Sequence, residues 1–168
     1  MKDWLMHAEQ IAQYFGELPS WWVSFFLAML PVTELRGSIP WAITLGDMSW
    51  HQAFISSVLG NFVPALPLLV FMEQIVRIAS RYTFTRKIVD FFLRRTRKRA
   101  KAVEKYGYLG LALFVGIPLP VTGMWTGALA AFMFGIPIRR ALAGIALGLL
   151  MSATIVTSIT MGVFELIF

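Results

Sequence analysis

Cysteine is absent from the 168-residue sequence, and charged residues are scarce. Without cysteine, the chain has neither disulfides nor thiolate metal sites. Charged residues make up 14% of the chain and hydrophobic residues 58%, whereas about a quarter of the residues in a soluble domain are charged. This composition predicts a multi-span integral membrane protein.

Motifs of enzyme chemistry are also missing. The sequence has no Gly-x-x-x-x-Gly-Lys-Ser/Thr loop and therefore no phosphate-binding loop for nucleotide hydrolysis. It contains no nucleophile elbow and no histidine and carboxylate cluster at metal-ligand spacing. We therefore expect no enzyme activity, no catalytic residues, no metal and no cofactor.

Positive charge is concentrated in one segment. Eleven of the 15 lysine and arginine residues lie between Arg77 and Lys105, opposed only by Asp90 and Glu104. In a soluble protein such a block would indicate nucleic-acid binding, but apolar segments flank this one. The positive-inside rule assigns residues 77–105 to a cytoplasmic loop of a multi-pass protein in the inner (cytoplasmic) cell membrane, with no nucleic-acid partner. Interleaved apolar residues favour basic helices that lie against anionic headgroups.

The N-terminal segment, residues 1–18, places apolar residues such as Trp4, Ile11 and Phe15 at helical spacing. A signal peptide is not expected, because Lys2 is the only cation and acidic residues interrupt any apolar core. The pattern predicts an interfacial amphipathic helix.

A four-residue string occurs twice. Leu-Pro-Val-Thr stands at residues 30–33 and again at residues 119–122, at a constant offset of 89 that also pairs Ala42 with Ala131. Each copy divides an apolar stretch into two shorter pieces. Neither piece is long enough to span a membrane alone, since a spanning helix needs about 20 apolar residues. The chain therefore contains two repeats, at residues 20–76 and 106–168, within one membrane domain of residues 1–168.

Two topologies fit each interrupted run: a single kinked span, or a re-entrant hairpin that turns at mid-depth. The hairpin topology places Arg139 and Arg140 on the same face as the basic loop, whereas the kinked span places them opposite, against the positive-inside rule. We therefore predict an all-α integral membrane fold, an inverted repeat of a re-entrant helical hairpin plus a transmembrane helix. Broken helices that meet near the midplane are typical of transporters.

Glu34 and Arg36 follow the first proline turn and are the strongest functional signal, because charges inside a membrane are costly. Two interpretations compete. The charges either pair with each other or with carbonyls freed at the turn, and so close the hairpin. Alternatively, Glu34 takes up and releases a proton while the planar guanidinium of Arg36 holds an anionic group.

The returning helices are expected to begin near Arg36 and Met124, with their positive N-terminal ends toward the midplane. Three threonines, Thr33, Thr122 and Thr126, place hydroxyl groups at the same depth. These hydroxyls either cap the returning helices or contact the substrate.

The second copy differs from the first at the charged positions. Gly123 stands at the position of Glu34, and Trp125 at that of Arg36. Trp125 serves either as a gate or stacking surface, or only in packing. Asn61, ahead of a proline kink at Pro64, either lines the pathway or bonds to a freed carbonyl.

The predicted site lies where the two proline turns meet. Glu34 is the expected coupling residue and Arg36 the expected anchor for an anion or headgroup. The full set of candidate residues is Pro31, Thr33, Glu34, Arg36, Asn61, Pro118, Pro120, Thr122, Trp125 and Thr126.

Two longer motifs carry a resemblance to a known family. The segments Pro31-Val-Thr-Glu-Leu-Arg-Gly-Ser-Ile-Pro40 and Ile117-Pro-Leu-Pro-Val-Thr-Gly-Met-Trp-Thr-Gly-Ala-Leu-Ala-Ala131 resemble the small multidrug export protein family. That family is in turn similar to the DedA/VTT superfamily, whose members carry two re-entrant hairpins and are associated with the movement of polyprenyl phosphates or phospholipids. Unlike the DedA pattern, the second turn here carries no arginine.

Three functions remain open from the sequence. The first is a secondary, proton-coupled transporter of small molecules. The second, implied by the DedA resemblance, is a translocase or scramblase for a lipid phosphate, and the third is a membrane scaffold without transport. Membrane lipids, protons and a small-molecule or lipid-phosphate substrate are the expected partners, and both a monomer and a homo-oligomer are compatible with the sequence.

Overall fold

The computed structural model describes residues 18–81, 83–119 and 122–167, and within these ranges the chain is helical with no strand. The predicted N-terminal amphipathic helix and Pro120 lie outside the described residues, apart from residue 18. The helices are α1 Ser20–Met29, α2 Glu34–Thr44, α3 Trp50–Phe62, α4 Ala65–Ala79, α5 Thr83–Arg99, α6 Lys101–Tyr106, α7 Tyr108–Gly116, α8 Met124–Met133 and α9 Ile138–Ile167.

Two stretches of the described chain are long and apolar enough to cross a bilayer. Trp50–Ala79 has 30 residues with a mean hydropathy of 1.9, and Ile138–Val163 has 26 residues with a mean hydropathy of 2.0. The first stretch consists of α3 and α4, which are separated at Val63 and Pro64, where the sequence predicts a kink. An all-helical protein with two candidate spans is confirmed.

The remaining apolar helices are about half as long as a span. Helices α1, α2, α7 and α8 contain 10, 11, 9 and 10 residues, which corresponds to about 15 Å each at the rise of an α-helix. Helices α1 and α2 are joined through residues 30–33 and pack against each other, as do α7 and α8 through residues 117–123. None of the four reaches across a hydrocarbon core of about 30 Å.

The chain leaves α2 and α8 through turns that are similar but not identical. The Ala42 carbonyl accepts the Met48 N–H at 3.0 Å, and the Ala131 carbonyl accepts the Ile136 N–H at 2.9 Å. A left-handed residue follows each helix, Asp47 with φ 49° and Gly135 with φ 62°. The turn after α2 is thus one residue longer than the turn after α8, and each connects a short helix to the long helix that follows.

Small residues allow the first short helix of each half to lie close against the long helix that follows. Gly60 of α3 lies against the backbone of Phe25 in α1, and Gly144 of α9 lies against the Tyr108 carbonyl of α7. Buried hydroxyls connect α1 and α3, with Ser24 and Ser57 2.9 Å apart. Small residues and interhelical hydroxyl bonds are typical of helix packing in membranes.

The two halves also contact each other in a reciprocal way. Helix α2 of the first half packs on α9 of the second, and α8 of the second half packs on α4 of the first. The buried core lies between them and includes Leu35, Met124 and Ile145. Large hydrophobic side chains such as Phe26 and Ile159 are more than half exposed, as expected of a protein surface that faces lipid.

The basic segment is mostly helical. It covers α5 and α6, and α5 contacts both α4 and α8. Two ion pairs support the helices around it: Glu73 with Arg77 at 2.5 Å, and Arg86 with Asp90 at 4.0 Å. Both are exposed pairs at i,i+4 spacing, which contribute little to stability.

The close packing of α1 on α3 makes Gly60 sensitive to substitution. In Gly60→Ala, the new Cβ would overlap the Phe25 carbonyl oxygen and lie 2.8 Å from its carbon, so the backbones must separate. We expect a loss of about 1–3 kcal/mol, the usual effect of overpacking, measured as a lower thermal midpoint in detergent. The matched control is Gly162→Ala, because nothing lies within 4 Å of that Cβ in α9; an equal loss in both variants would contradict the packing.

Candidate functional site

A cavity of about 640 Å³ lies where the two turns meet, between α2, α4 and α8. Seven of the residues predicted from the sequence line it, and they come from both turns. The lining residues are Pro31, Val32, Thr33, Glu34, Arg36, Leu68, Met72, Ile75, Val76, Thr122, Trp125, Thr126 and Leu129. Val32 is 92% exposed and Ile75 is 43% exposed, so the cavity opens to the outside along these side chains.

Glu34 begins α2 with a left-handed backbone, φ 45°, a conformation that is strained for a residue other than glycine. Its side chain is buried, with 9% of the residue exposed. The carboxylate reaches the start of α8, where the Trp125 N–H donates to Oε1 at 3.4 Å. An N-terminal helix end has unpaired N–H groups and a partial positive charge, so it is a favourable place for a carboxylate.

Gly123 provides the space for this contact. A Cβ at position 123 would overlap the Glu34 carboxylate, with the carboxyl carbon 2.7 Å away. The sequence repeat places Gly123 at the position of Glu34, and the structure gives the reason: only one of the two copies can carry the acid, because the other must admit it.

Arg36 reaches the second turn beside Glu34. Its Nη2 donates to the Thr122 carbonyl oxygen and lies 3.4 Å from the Thr122 hydroxyl. Across the described residues, no ion pair within 4.0 Å joins Arg36 to Glu34. Of the two structural interpretations, mutual pairing is therefore absent, while bonding to a freed carbonyl is present.

The three threonines donate to carbonyl groups. The Thr33 hydroxyl donates to the Leu27 carbonyl near the end of α1. The Thr122 hydroxyl lies 2.8 Å from the Ile117 carbonyl, just after α7, and the Thr126 hydroxyl lies 3.3 Å from the Gly123 carbonyl. No N-cap side chain caps the start of α2 or α8 by a hydrogen bond; in this structure the three hydroxyls bond to carbonyls at the turns instead.

Trp125 connects the turns in the opposite direction. Its indole Nε1 donates to the Met29 carbonyl at 3.2 Å, and Met29 is the last residue of α1. A carbonyl at a helix end lacks an intrahelical partner. Trp125 therefore lines the cavity and also satisfies a backbone group of the first turn.

Three predicted site residues lie elsewhere or are not described. Neither Asn61 nor Pro118 is among the residues that line the cavity, and Pro120 lies outside the described residues. Asn61 is fully buried near the end of α3, and both polar atoms of its amide lack a hydrogen-bond partner.

The wall contributed by α4 was not predicted. Leu68, Met72, Ile75 and Val76 follow helical spacing and face the cavity. This stripe gave no distinct signal because large apolar residues, Leu66, Val70 and Phe71, also lie on the exposed side of α4. The cavity is therefore mostly apolar, with one acid, one arginine and three threonines at the turns. In residues 18–167, apart from the undescribed positions, no group of three or more metal-ligating side chains was found.

The two candidate spans and the exposed apolar side chains indicate a membrane protein, with a cavity where the turns between two pairs of short helices meet. Residues 34–155 match the model of the family described as Putative small multi-drug export protein, and the chain belongs to that family. No curated protein and no solved structure is significantly similar to the chain. The matched range begins at Glu34 and includes both turns, and the family description indicates a membrane transporter.

The contact between Glu34 and Gly123 predicts non-additive mutations. Gly123→Ala should destabilise the protein by about 1–3 kcal/mol, because the new methyl group displaces the carboxylate. In a Glu34→Ala background the overlap is gone, so the same change should cost less, with a coupling energy of about 1 kcal/mol or more. Thermal or denaturant unfolding of the four proteins in detergent measures this coupling. Additive effects would show that the carboxylate does not occupy this position.

Proposed function

We propose that this protein is a proton-coupled secondary transporter that exports amphipathic small molecules through the cavity between the two turns. The observation that carries the proposal is the buried carboxylate of Glu34 in a cavity wall that is otherwise mostly apolar. An ionisable group inside a membrane protein is costly and marks a proton or substrate path. An apolar cavity with few polar groups suits a lipophilic ligand.

Glu34 is the proposed proton carrier. When ionised, the carboxylate accepts from the Trp125 N–H and is held by the positive end of α8. When protonated, it loses its charge and with it most of this attraction. A proton and a cationic group of the substrate then compete for the same carboxylate, which is the basis of exchange between them.

A protonated Glu34 also changes the connection between the halves of the protein. Because α8 packs on α4 and α2 packs on α9, a weaker contact between Glu34 and α8 loosens one half against the other. Arg36 holds Thr122 at the same time, so we assign Arg36 a positioning role at the turns. The substrate can shift the equilibrium between the tight and the loosened arrangement of the halves only if it binds one arrangement more strongly than the other.

The proposed architecture is an inverted repeat in one membrane domain. In it, α1 with α2 and α7 with α8 are re-entrant hairpins, and the basic segment 77–105 is cytoplasmic. Support comes from the half-span lengths of these helices and from the positive-inside rule. The need to satisfy turn backbone away from lipid supports it further.

A lipid phosphate is the second candidate substrate, favoured by the exposed position of Val32 at the cavity rim, where a lipid tail has access. Such a substrate needs the guanidinium of Arg36 to bind its phosphate. In the structure this group donates to Thr122, so a lipid phosphate would have to displace an existing bond. We therefore place it second.

Neutralising the carboxylate tests the coupling role. In proteoliposomes with an acidic lumen, we expect the wild-type protein to accumulate tetraphenylphosphonium in exchange for protons. Glu34→Gln should reduce this uptake at least tenfold, because the amide cannot carry a proton in exchange. Glu73→Gln is the matched control, since Glu73 is exposed and paired with Arg77 outside the cavity. Unchanged uptake in Glu34→Gln would refute the coupling role.

The same vesicles distinguish the alternatives. The lipid function would be supported by two results together: the wild type translocates a fluorescent anionic phospholipid but takes up no tetraphenylphosphonium, and Arg36→Gln no longer translocates the phospholipid. A wild-type protein that moves neither probe would instead support the scaffold hypothesis.

Cysteine labelling tests the proposed topology, because the chain has no native cysteine. Ser49→Cys and Arg97→Cys introduce thiols at two exposed positions, one before α3 and one near the end of α5. The topology predicts that a membrane-impermeant maleimide labels them from opposite faces of oriented membranes. Labelling of both from one face would exclude the topology, and labelling after detergent treatment is the control for reactivity.

A further inference from the structure

The outer face of α5 carries a small pocket that the transport function does not use. Phe91, Arg94, Arg95 and Lys98 line it, and its volume is about 230 Å³. Their spacing, i, i+3, i+4 and i+7, places all four side chains on one side of a helix. We call this set the α5 stripe.

The α5 stripe faces away from the rest of the protein. Thr96 is 2% exposed and Ala100, just after the helix, is 0% exposed. At about 100° per residue, both positions lie on the side opposite the stripe, and α5 contacts α4 and α8. The buried side of α5 therefore packs on α4 and α8, while the stripe is accessible to a ligand.

The positive charge of the stripe is not neutralised within the described chain. Arg94, Arg95 and Lys98 take part in no ion pair within 4.0 Å there; the acid of this helix, Asp90, pairs with Arg86 instead. The guanidinium of Arg95 lies 5.8 Å from the centre of the Phe91 ring. Its Nε is buried and lacks a hydrogen-bond acceptor. A donor without an acceptor in a cationic pocket is available to bind an anion.

We propose that the α5 stripe binds a phosphate group, and that this phosphate belongs to an anionic phospholipid headgroup. Two guanidinium groups and one ammonium group match the oxygens of a phosphate. A volume of about 230 Å³ has room for one headgroup, and the aromatic ring of Phe91 offers an apolar wall next to it.

The position of the stripe favours a lipid as the source of the phosphate. The candidate span Trp50–Ala79 ends shortly before α5 begins at Thr83. A basic helix that directly follows a membrane span lies within reach of the headgroups on that face, and clusters of lysine and arginine there attract anionic lipid.

Lipid binding to the intact protein in detergent tests the site. We expect native mass spectrometry to show retained phosphatidylglycerol in preference to phosphatidylcholine. The triple variant R94Q/R95Q/K98Q should bind phosphatidylglycerol roughly tenfold more weakly or worse. The control R86Q/R97Q/K101Q removes the same charge from exposed positions outside the pocket and should change binding less than about twofold.

Equal weakening in the two variants would overturn the proposal, because general charge attraction would then explain the binding. So would an absence of preference for phosphatidylglycerol in the wild type. Inorganic phosphate at millimolar concentration distinguishes the source: displacement of the bound lipid assigns the pocket to free phosphate and overturns the lipid assignment, while retention supports the headgroup. Circular dichroism and gel filtration of both variants confirm that they are folded.

Discussion

Backbone hydrogen bonding at two interrupted helices is the constraint on which the rest of this structure depends. Each proline turn leaves N–H and C=O groups that hydrocarbon cannot satisfy, and each turn is completed by the other. The Glu34 carboxylate accepts from the start of α8, Arg36 donates to the Thr122 carbonyl, and Trp125 donates to the Met29 carbonyl. The cavity lies at this junction, where the two turns are joined by these hydrogen bonds.

This junction also explains why the two repeats have diverged. A carboxylate on both copies would place two acids against each other, and a side chain at position 123 would overlap the one that is present. One copy therefore supplies charge, and the other supplies glycine and backbone. The strained φ of Glu34 fits a residue held in place by its surroundings. The same contact that closes the fold is thus the one that protonation would weaken.

The positions of the two turns could be predicted from the sequence, but the groups that form hydrogen bonds at the turns could not. The offset of 89 residues located both interruptions, and the expected start of the second returning helix, near Met124, is its first residue in the structure. The first returning helix begins at Glu34, two positions before the expected Arg36, because the acid itself enters the helix. Every residue has a backbone C=O, and every residue except proline has an N–H, so the sequence does not show which of these groups Glu34 and Arg36 bind. The wall of α4 was not predictable for a related reason: apolar residues occur both on the face that borders the cavity and on the exposed side of this helix, so their pattern does not show which of them line a cavity.

The reciprocal packing of the halves has a consequence for biogenesis. Helices α1 and α2 emerge from the ribosome long before α7 and α8, yet the Met29 carbonyl and the side chains of Glu34 and Arg36 bind to residues 122 and 125. Until the second half has been synthesised, the first turn has to be shielded by water, the insertion machinery or a chaperone. The order of synthesis therefore makes the pair of α1 and α2 an intermediate whose polar groups lack their final partners during the interval between the synthesis of the two halves.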